Sequence, residues 1–433
     1  MKNIFKKIII CILTWQARIV LRKYKPKIIA VTGSVGKTST KDAIFVVLSK
    51  FKIVRKSEKS YNSEIGLPLT ILGLPNGWSN FHIWFENILR GFILIFSNKP
   101  YPEYLVLEIG VGKPGDIVKN VVPWLKPDMV VVTCFPDKPV HVEFFGSVEK
   151  IIEEKSALAY ALRPQGVLIL NHDDEKVYDL HNKSKCKTVS FGENENATYK
   201  VTHPIHLIKE VNGASIINGV NFKLNYNGNT FPVYLPHVIG LHYVGSALAA
   251  IACACEAGCD LLESINKVSE YVTPPGRLSL LDGINNSFII DDTYNSSPVA
   301  VGAAIEVMKE MKGKRKIAVL GDMLELGKWT ESEHRLVGEK AVSVFDIIVT
   351  VGPRAKSIRD GAIEKGFKKE NIYSFDDSIS AGEFLKTFIK EADICLFKGS
   401  QGIRLERAVV AVMAHPELKS KLVCRQEKEW QNR

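Results

Sequence analysis

Hydrophobic positions along this chain fall into short unbroken runs that alternate with longer stretches of helical period. Ile28 to Val31, Tyr104 to Gly110, Met129 to Thr133 and Val167 to Leu170 are apolar runs with no polar alternation. Such runs predict strands buried on both faces of a parallel sheet. Ser39 to Lys50 and Ser147 to Leu162 carry the helical pattern between them. Strands and helices in alternation, with polar residues at the strand ends, predict a doubly wound α/β sheet. From Tyr199 to Pro236 the pattern shifts to short strand-like pieces with Asn212-Gly213, Asn218-Gly219 and Asn227-Gly228 as turns. A small antiparallel sheet appended to the main one is expected there. Pro274-Pro275-Gly276 reads as a hinge. Beyond it the α/β alternation restarts at Phe288 to Ile290, predicting a second, Rossmann-like sheet. The expected organisation is an N-terminal helix over 1–26, a central domain over 27–273 and a C-terminal domain over 274–433.

Two apolar segments do not fit the strand pattern. Ile8 to Leu13 sits among Lys2, Lys6, Lys7, Arg18, Arg22 and Lys23, and no acid occurs in the first 27 residues. The apolar run is too short to span a bilayer. With its basic face it has the form of an interfacial helix. Contact with the inner membrane face and docking on the protein's own core both remain open. Trp78 to Phe96 is rich in aromatic residues and reads as core or a packing surface, with a lipid-facing patch as the alternative.

Composition changes this picture little. A chain of 433 residues with 46% hydrophobic and 24% charged content is ordinary for a globular protein. The net charge of +10 is concentrated at the N-terminal end. The eight cysteines are scattered, and Cys253, Cys255 and Cys259 fit neither a zinc ribbon nor a redox pair. A monomer in a reducing cytoplasm with no nucleic-acid partner is expected, with peripheral contact at the inner membrane face as one of the two open readings of the N-terminal helix.

The chemistry starts at Thr32-Gly33-Ser34-Val35-Gly36-Lys37-Thr38-Ser39, between a predicted strand and a predicted helix. A glycine turn at a helix N-terminus presents backbone N–H groups to an anion; Lys37 adds charge and Thr38 can ligate Mg²⁺. The loop is a short TGxxGKT form, because Val31 stands where the longer consensus has glycine. Glu108, at the end of the second strand, is placed to hold Mg²⁺ directly or through water.

The motifs TGSVGKTSTK, YNSEIGLPLTIL, LVLEIGVGKPGDI, HVEFFGSVEKIIEEKSAL, PPGRLSLL, IDDTYNSSPVAV, AVLGDMLELG and LFKGSQGIRLER occur in that order over residues 32–407. Together they resemble the Mur ligase family, and within it the D-alanyl-D-alanine-adding, F-type branch. The resemblance implies an ATP-dependent acid–amine ligase of peptidoglycan precursor synthesis. It would phosphorylate the carboxylate of a muramoyl-peptide and let a D-alanyl-D-alanine-like amine displace phosphate. It further implies two Mg²⁺ ions, one on Thr38 and Glu108, the other on His141 and a carbamylated Lys155. Lys37, His141, Lys155 and Arg277 become the catalytic residues. Gly33, Ser34, Val35, Gly36, Lys37, Thr38 and Ser39 would cradle ATP, with Arg277, Asp292 and Asn295 reaching it from the last domain. Asn62, Glu64, Lys398, Ser400 and Arg404 stand where the family's motifs face substrate.

Three features depart from the family pattern. Only about 27 residues precede the loop, where F-type ligases carry a UDP-binding domain. A lipid-linked acid is therefore expected as the alternative to a UDP-linked one. His242-Tyr243 and Ser246 replace the usual asparagines of the adenine-side helix, and the loop before His141 is unusual. A P-loop GTPase is disfavoured, because Tyr101 holds the place of the acid in the guanine-reading motif. A scaffold with a degenerate ligase fold is the remaining alternative.

Overall fold

The computed structural model describes residues 2–58, 64–137, 142–427 and 430, with the side chains of residues 2–5 and 142 outside the description. Two sheets organise it. The first has nine strands in the order β2-β3-β1-β4-β5-β6-β7-β8-β9. Its parallel part comprises β1 (Lys27–Thr32), β2 (Val54–Lys56), β3 (Tyr104–Glu108), β4 (Met129–Val132), β5 (Val167–Asn171) and β6 (Lys187–Gly192). Ile28, Ile29, Ala30 and Val31 are all buried. β1 lies in the middle, paired in parallel with β3 and β4, so its run must be apolar on both faces.

The antiparallel strands β7 (Tyr199–Val211), β8 (Ala214–Tyr226) and β9 (Asn229–Leu235) extend this same sheet. The join is a short parallel pairing of Phe191 with Tyr199 and Gly192 with Lys200. Asn212-Gly213 and Asn227-Gly228 make the two hairpin turns, both residues of each pair at positive φ. The expected turn at Asn218-Gly219 is corrected: the pair lies inside β8, where the register against β7 shifts. Gly219 has φ of 150°, and a Cβ there would meet the Tyr234 ring at 2.9 Å. The glycine therefore marks a bulge with close backbone approach.

The second sheet has six strands in the order β10-β11-β15-β12-β13-β14. They are β10 (Ser279–Gly283), β11 (Ser287–Asp292), β12 (Arg315–Gly321), β13 (Ile347–Val351), β14 (Ile372–Phe375) and β15 (Asp393–Lys398). All neighbours run parallel except β10 and β11. The observed β11 extends beyond the expected Phe288 to Ile290, which carries Asp292 to a strand end.

Helices cover both sheets. The ones that matter for function are α1 (Lys2–Tyr24), α2 (Lys37–Leu48), α3 (Gly66–Leu72), α4 (Phe81–Phe96), α5 (Val142–Phe145) and α6 (Val148–Tyr160). α1 does dock on the protein: Ile9, Leu13, Ala17 and Val20 are buried in one cluster with residues of α3, β1 and β3. Truncating Leu13, which is fully buried, to alanine costs about 2–5 kcal/mol. Among the described residues no helix is long and apolar enough to cross a membrane.

Candidate active site

The loop after β1 is shaped by two glycines and one threonine. Gly33 has φ of 131°, and a Cβ on it would lie 2.1 Å from Thr133 Oγ1. Thr133 Oγ1 donates to the Val35 carbonyl at 2.6 Å, and the Ser34 amide donates to the Cys134 carbonyl at 2.8 Å. The end of β4 thus clamps the loop against the sheet. Gly36 at φ 83° opens α2, and no side chain caps that helix N-terminus. Its first amides are left for a ligand, beside the positive end of the helix dipole.

Three basic side chains converge on the loop. Burial holds the Lys37 ammonium below its ordinary pKa, and Arg277 lowers it further while Glu108 opposes the shift. Lys155, on α6, is buried and donates through Nζ to Ser34 Oγ at 2.8 Å. Burial, with the nearby Lys37 charge, pushes its pKa well below the usual lysine range. Arg277 comes from the segment before β10 and donates through Nη2 to Thr38 Oγ1 at 3.0 Å. Burial opposes its charge, but Tyr294, Glu108 and neighbouring acids outweigh that and raise its pKa. The guanidinium lies 4.2 Å from the Tyr294 ring centroid.

Glu108 is buried at the end of β3, with Lys41 Nζ at 3.8 Å. Lys41 was not foreseen from sequence. Its signal was a lysine one turn into an otherwise buried face of α2, fully enclosed here and with its pKa lowered by burial. From the second sheet, Lys398 at the end of β15 reaches Asp292 Oδ2 at 2.6 Å and the Asn295 carbonyl at 3.0 Å. That pairing fixes the loop after β11.

These parts form one cavity between the sheets. Ser34, Val35, Gly36, Lys37, Thr38 and Ser39 line one wall with Glu108; Arg277, Asp292, Asn295 and Lys398 line the other. His242, Tyr243 and Ser246 close one side, from the start of α9 (Tyr243–Glu256). Burial depresses the His242 pKa to about 4, so its imidazole is neutral. Tyr243 donates to the Arg277 carbonyl at 2.8 Å, and Ser246 shares a 3.0 Å hydrogen bond with Thr40. Tyr243 and Ser246 are therefore struts between the helices and the arginine segment.

Other expected positions lie elsewhere. Gly33 supports the loop from behind. Ser400 Oγ accepts from the Leu324 amide at 2.9 Å. Arg404 is turned away, held by Glu406 Oε1 at 2.5 Å and the Trp430 carbonyl at 2.7 Å. Glu64 is exposed ahead of α3. Asn62 and His141 lie outside the described residues. Among those described, no three His, Cys, Asp or Glu side chains gather as a metal site. The Thr38 hydroxyl and the Glu108 carboxylate are nevertheless hard oxygen donors beside a phosphate loop, which suits Mg²⁺ completed by phosphate and water.

A family profile described as "Mur ligase middle domain" matches residues 90–254, and one described as "Mur ligase, glutamate ligase domain" matches residues 276–401. The UDP-N-acetylmuramoyl-tripeptide–D-alanyl-D-alanine ligase of Bacillus subtilis is 31% identical over 404 residues, covering 92% of this chain and 79% of the relative. The chain belongs to the Mur ligase family. The enzyme of the same name from Escherichia coli is 28% identical over 391 residues, covering 89% of this chain and 76% of that one. Among solved structures, the MurF ligase of Thermotoga maritima in complex with ADP aligns with a TM-score of 0.73 at 25% identity, over 92% of this chain and 82% of that chain. A folylpolyglutamate synthase from Thermotoga maritima, at 15% identity and a TM-score of 0.59 over 96% of this chain and 94% of that one, shares the fold. This Mur ligase thus has the mixed α/β architecture expected from its hydrophobic pattern.

Proposed function

We propose that this Mur ligase is an ATP-dependent acid–amine ligase of the cytoplasm that joins D-alanyl-D-alanine to a muramoyl-tripeptide in peptidoglycan precursor synthesis. One observation carries the reading. Lys155, which is buried, and Lys37 and Arg277, which are half-buried, converge on a loop whose helix N-terminus has no cap of its own. Glu108 is the carboxylate among them. Such a site favours a polyanion and stabilises charge moving between phosphate oxygens. The B. subtilis relative's name supplies the acid and the amine.

In this reading the loop amides and Lys37 hold the triphosphate, while Arg277 steadies the charge that develops on the transferred phosphoryl group. The substrate carboxylate oxygen forms a bond to the γ-phosphorus as the bond to ADP breaks, giving an acyl phosphate. The amine nitrogen then attacks the acyl carbon, phosphate leaves, and the amine gives up a proton. Thr38 and Glu108 would hold Mg²⁺, whose chemistry is to neutralise phosphate charge.

Lys155 is held in conditions that favour its neutral amine, the form that attacks carbon dioxide. The N–C bond forms, a proton is lost, and the lysine becomes an anionic carbamate able to ligate a metal. ¹³C-bicarbonate should give a carbamate signal in the wild type that is absent in Lys155→Ala. Its absence from the wild type overturns the assignment. The ligase reading is tested by phosphate release from ATP with the UDP-linked tripeptide, with and without D-alanyl-D-alanine. Release that needs both substrates is expected. Release indifferent to the amine, across a panel of amines, removes the reading.

A further inference from the structure

The packing of α1 leaves one of its two apolar rows uncovered. Ile9, Leu13, Ala17 and Val20 face the core. Ile8 and Trp15 remain about half exposed, at 53% and 50%. Ile12 and Ile19 complete that outer row at helical spacing. α4 has the same arrangement. Trp84, Asn87 and Gly91 are buried, whereas Phe85 is 66% exposed, Phe96 83%, and Phe81, Leu89 and Ile93 stand beside them.

The two outer rows meet. Trp15 and Phe92 bring their ring centroids to 6.0 Å. Polar contacts also fix the helices to each other. Gln16 is buried and donates to the Ile88 carbonyl at 2.9 Å. Gly91 makes the approach possible, because a Cβ there would lie 2.2 Å from Gln16 Oε1. Lys23 donates to the Ile95 carbonyl at 2.8 Å near the end of α4. The result is an apolar platform shared by the two helices, and a joined exposed patch of this kind marks an interaction surface.

Charge identifies what it fits. At about 100° per residue, Lys7, Arg18 and Arg22 fall on the flank of α1 next to the outer row, and all three are exposed. The 23-residue helix contains no acid. On α4 the acid Glu86 is already paired with Arg90 at 2.5 Å. An apolar platform with a cationic flank matches the headgroup and upper acyl region of an anionic bilayer. Two-fold pairing of the platform with itself would bring the cationic flanks of two copies toward each other.

We propose that the joined outer faces of α1 and α4 are a docking surface for an anionic phospholipid bilayer, on which the protein lies without spanning it. The inference stands on this surface and is independent of the ligase reading.

Flotation of the full chain with vesicles tests it. Vesicles with phosphatidylglycerol at about a third of the lipid should recover at least about tenfold more protein than pure phosphatidylcholine vesicles. Recovery should fall as salt is raised. The double variant Phe85→Ser/Phe96→Ser should lose about tenfold or more of the binding while keeping its circular dichroism and melting temperature. Lys7→Glu/Arg18→Glu should lose the preference for phosphatidylglycerol. If the double serine variant unfolds, Leu89→Ser replaces it. Equal recovery with both vesicle types, or no recovery with either, overturns the proposal. So does a lipid-free dimer, seen by sedimentation, that the same serine changes disperse; the platform then serves a second copy.

Discussion

Two helix N-termini face the same cavity, and they differ in what the chain has left open. α2 follows β1 and begins at Gly36, with no side chain capping it. α11 (Pro298–Glu310) follows β11 and begins at Ser297, whose hydroxyl accepts from the Ala300 amide at 3.3 Å. Pro298 removes a further donor from that first turn. Both ends border the cavity. One sheet therefore offers an anion site, and the other closes its equivalent with its own side chain. What the second sheet contributes is side chains: Arg277 before β10, Asp292 at the end of β11 and Lys398 at the end of β15. A repeated α/β layout has been divided into a phosphate-holding half and a half that supplies charge from outside.

The largest way to break this division is at the open end. Lys37→Ala removes a half-buried cation from the phosphate loop, and ligation should fall about a hundredfold to a thousandfold or more. The change is read as kcat/KM for ATP-dependent ligation, with Lys37→Arg as the check on charge without shape. A Lys37→Ala enzyme within tenfold of the wild type would place the anion site elsewhere. Gly33→Ala should be as severe for a different reason. Its Cβ would overlap Thr133 Oγ1 at 2.1 Å, and the φ of 131° disfavours a side chain. Gly33→Ala/Thr133→Ala should recover part of the loss, because the threonine clash is then gone.

Arg277→Ala tests the other half. Its guanidinium touches Thr38 across the gap between the sheets, so kcat should fall about a hundredfold. Nucleotide affinity, measured by calorimetry with a non-hydrolysable ATP analogue, should fall less than in Lys37→Ala. If affinity collapses equally in both, the two halves are not divided as argued.

Lys155 gives a pH signature that separates the halves again. Its folded-state pKa lies well below the unfolded one through burial. Between those two values the unfolded chain binds more protons, so stability rises with pH in that window. Below the folded pKa the penalty of the buried ammonium is fully present. Lys155→Met should therefore raise the melting temperature of the nucleotide-free protein, and the gain should shrink as pH rises through the window. A gain that does not change with pH would mean that the amine is not the source.

The sequence showed some of this plainly and hid the rest for physical reasons. The strand β1, its loop and Glu108 are each carried by one local pattern: a doubly buried apolar run, a glycine turn, an acid ending a strand. The mixed α/β fold followed from the same runs. The Lys398–Asp292 pair joins positions 106 residues apart, and no local period reports such a contact. Arg404 was misleading because its motif is contiguous with Ser400, yet Arg404 sits at a positive φ of 57° and turns its side chain toward Glu406. Asn218-Gly219 had turn chemistry, but a glycine needed for close approach inside a strand has the same composition. The amphipathy of α1 and α4 was readable; which row faced the core depended on α3, β1 and β3 arriving beside them.

The smallest predicted effect is the most specific to the comparison of the two helix ends. Ser297→Ala removes the cap of α11 and should cost about 1 kcal/mol of stability. Denaturant unfolding reads that loss. Nucleotide binding should be nearly unchanged, since this end was never open to the ligand. Ser297→Gly should cost only a few tenths of a kcal/mol, because a glycine cap leaves the amides to water. If instead Ser297→Ala weakens nucleotide binding more than it weakens the fold, α11 holds phosphate as α2 does. The two sheets would then be partners in one anion site.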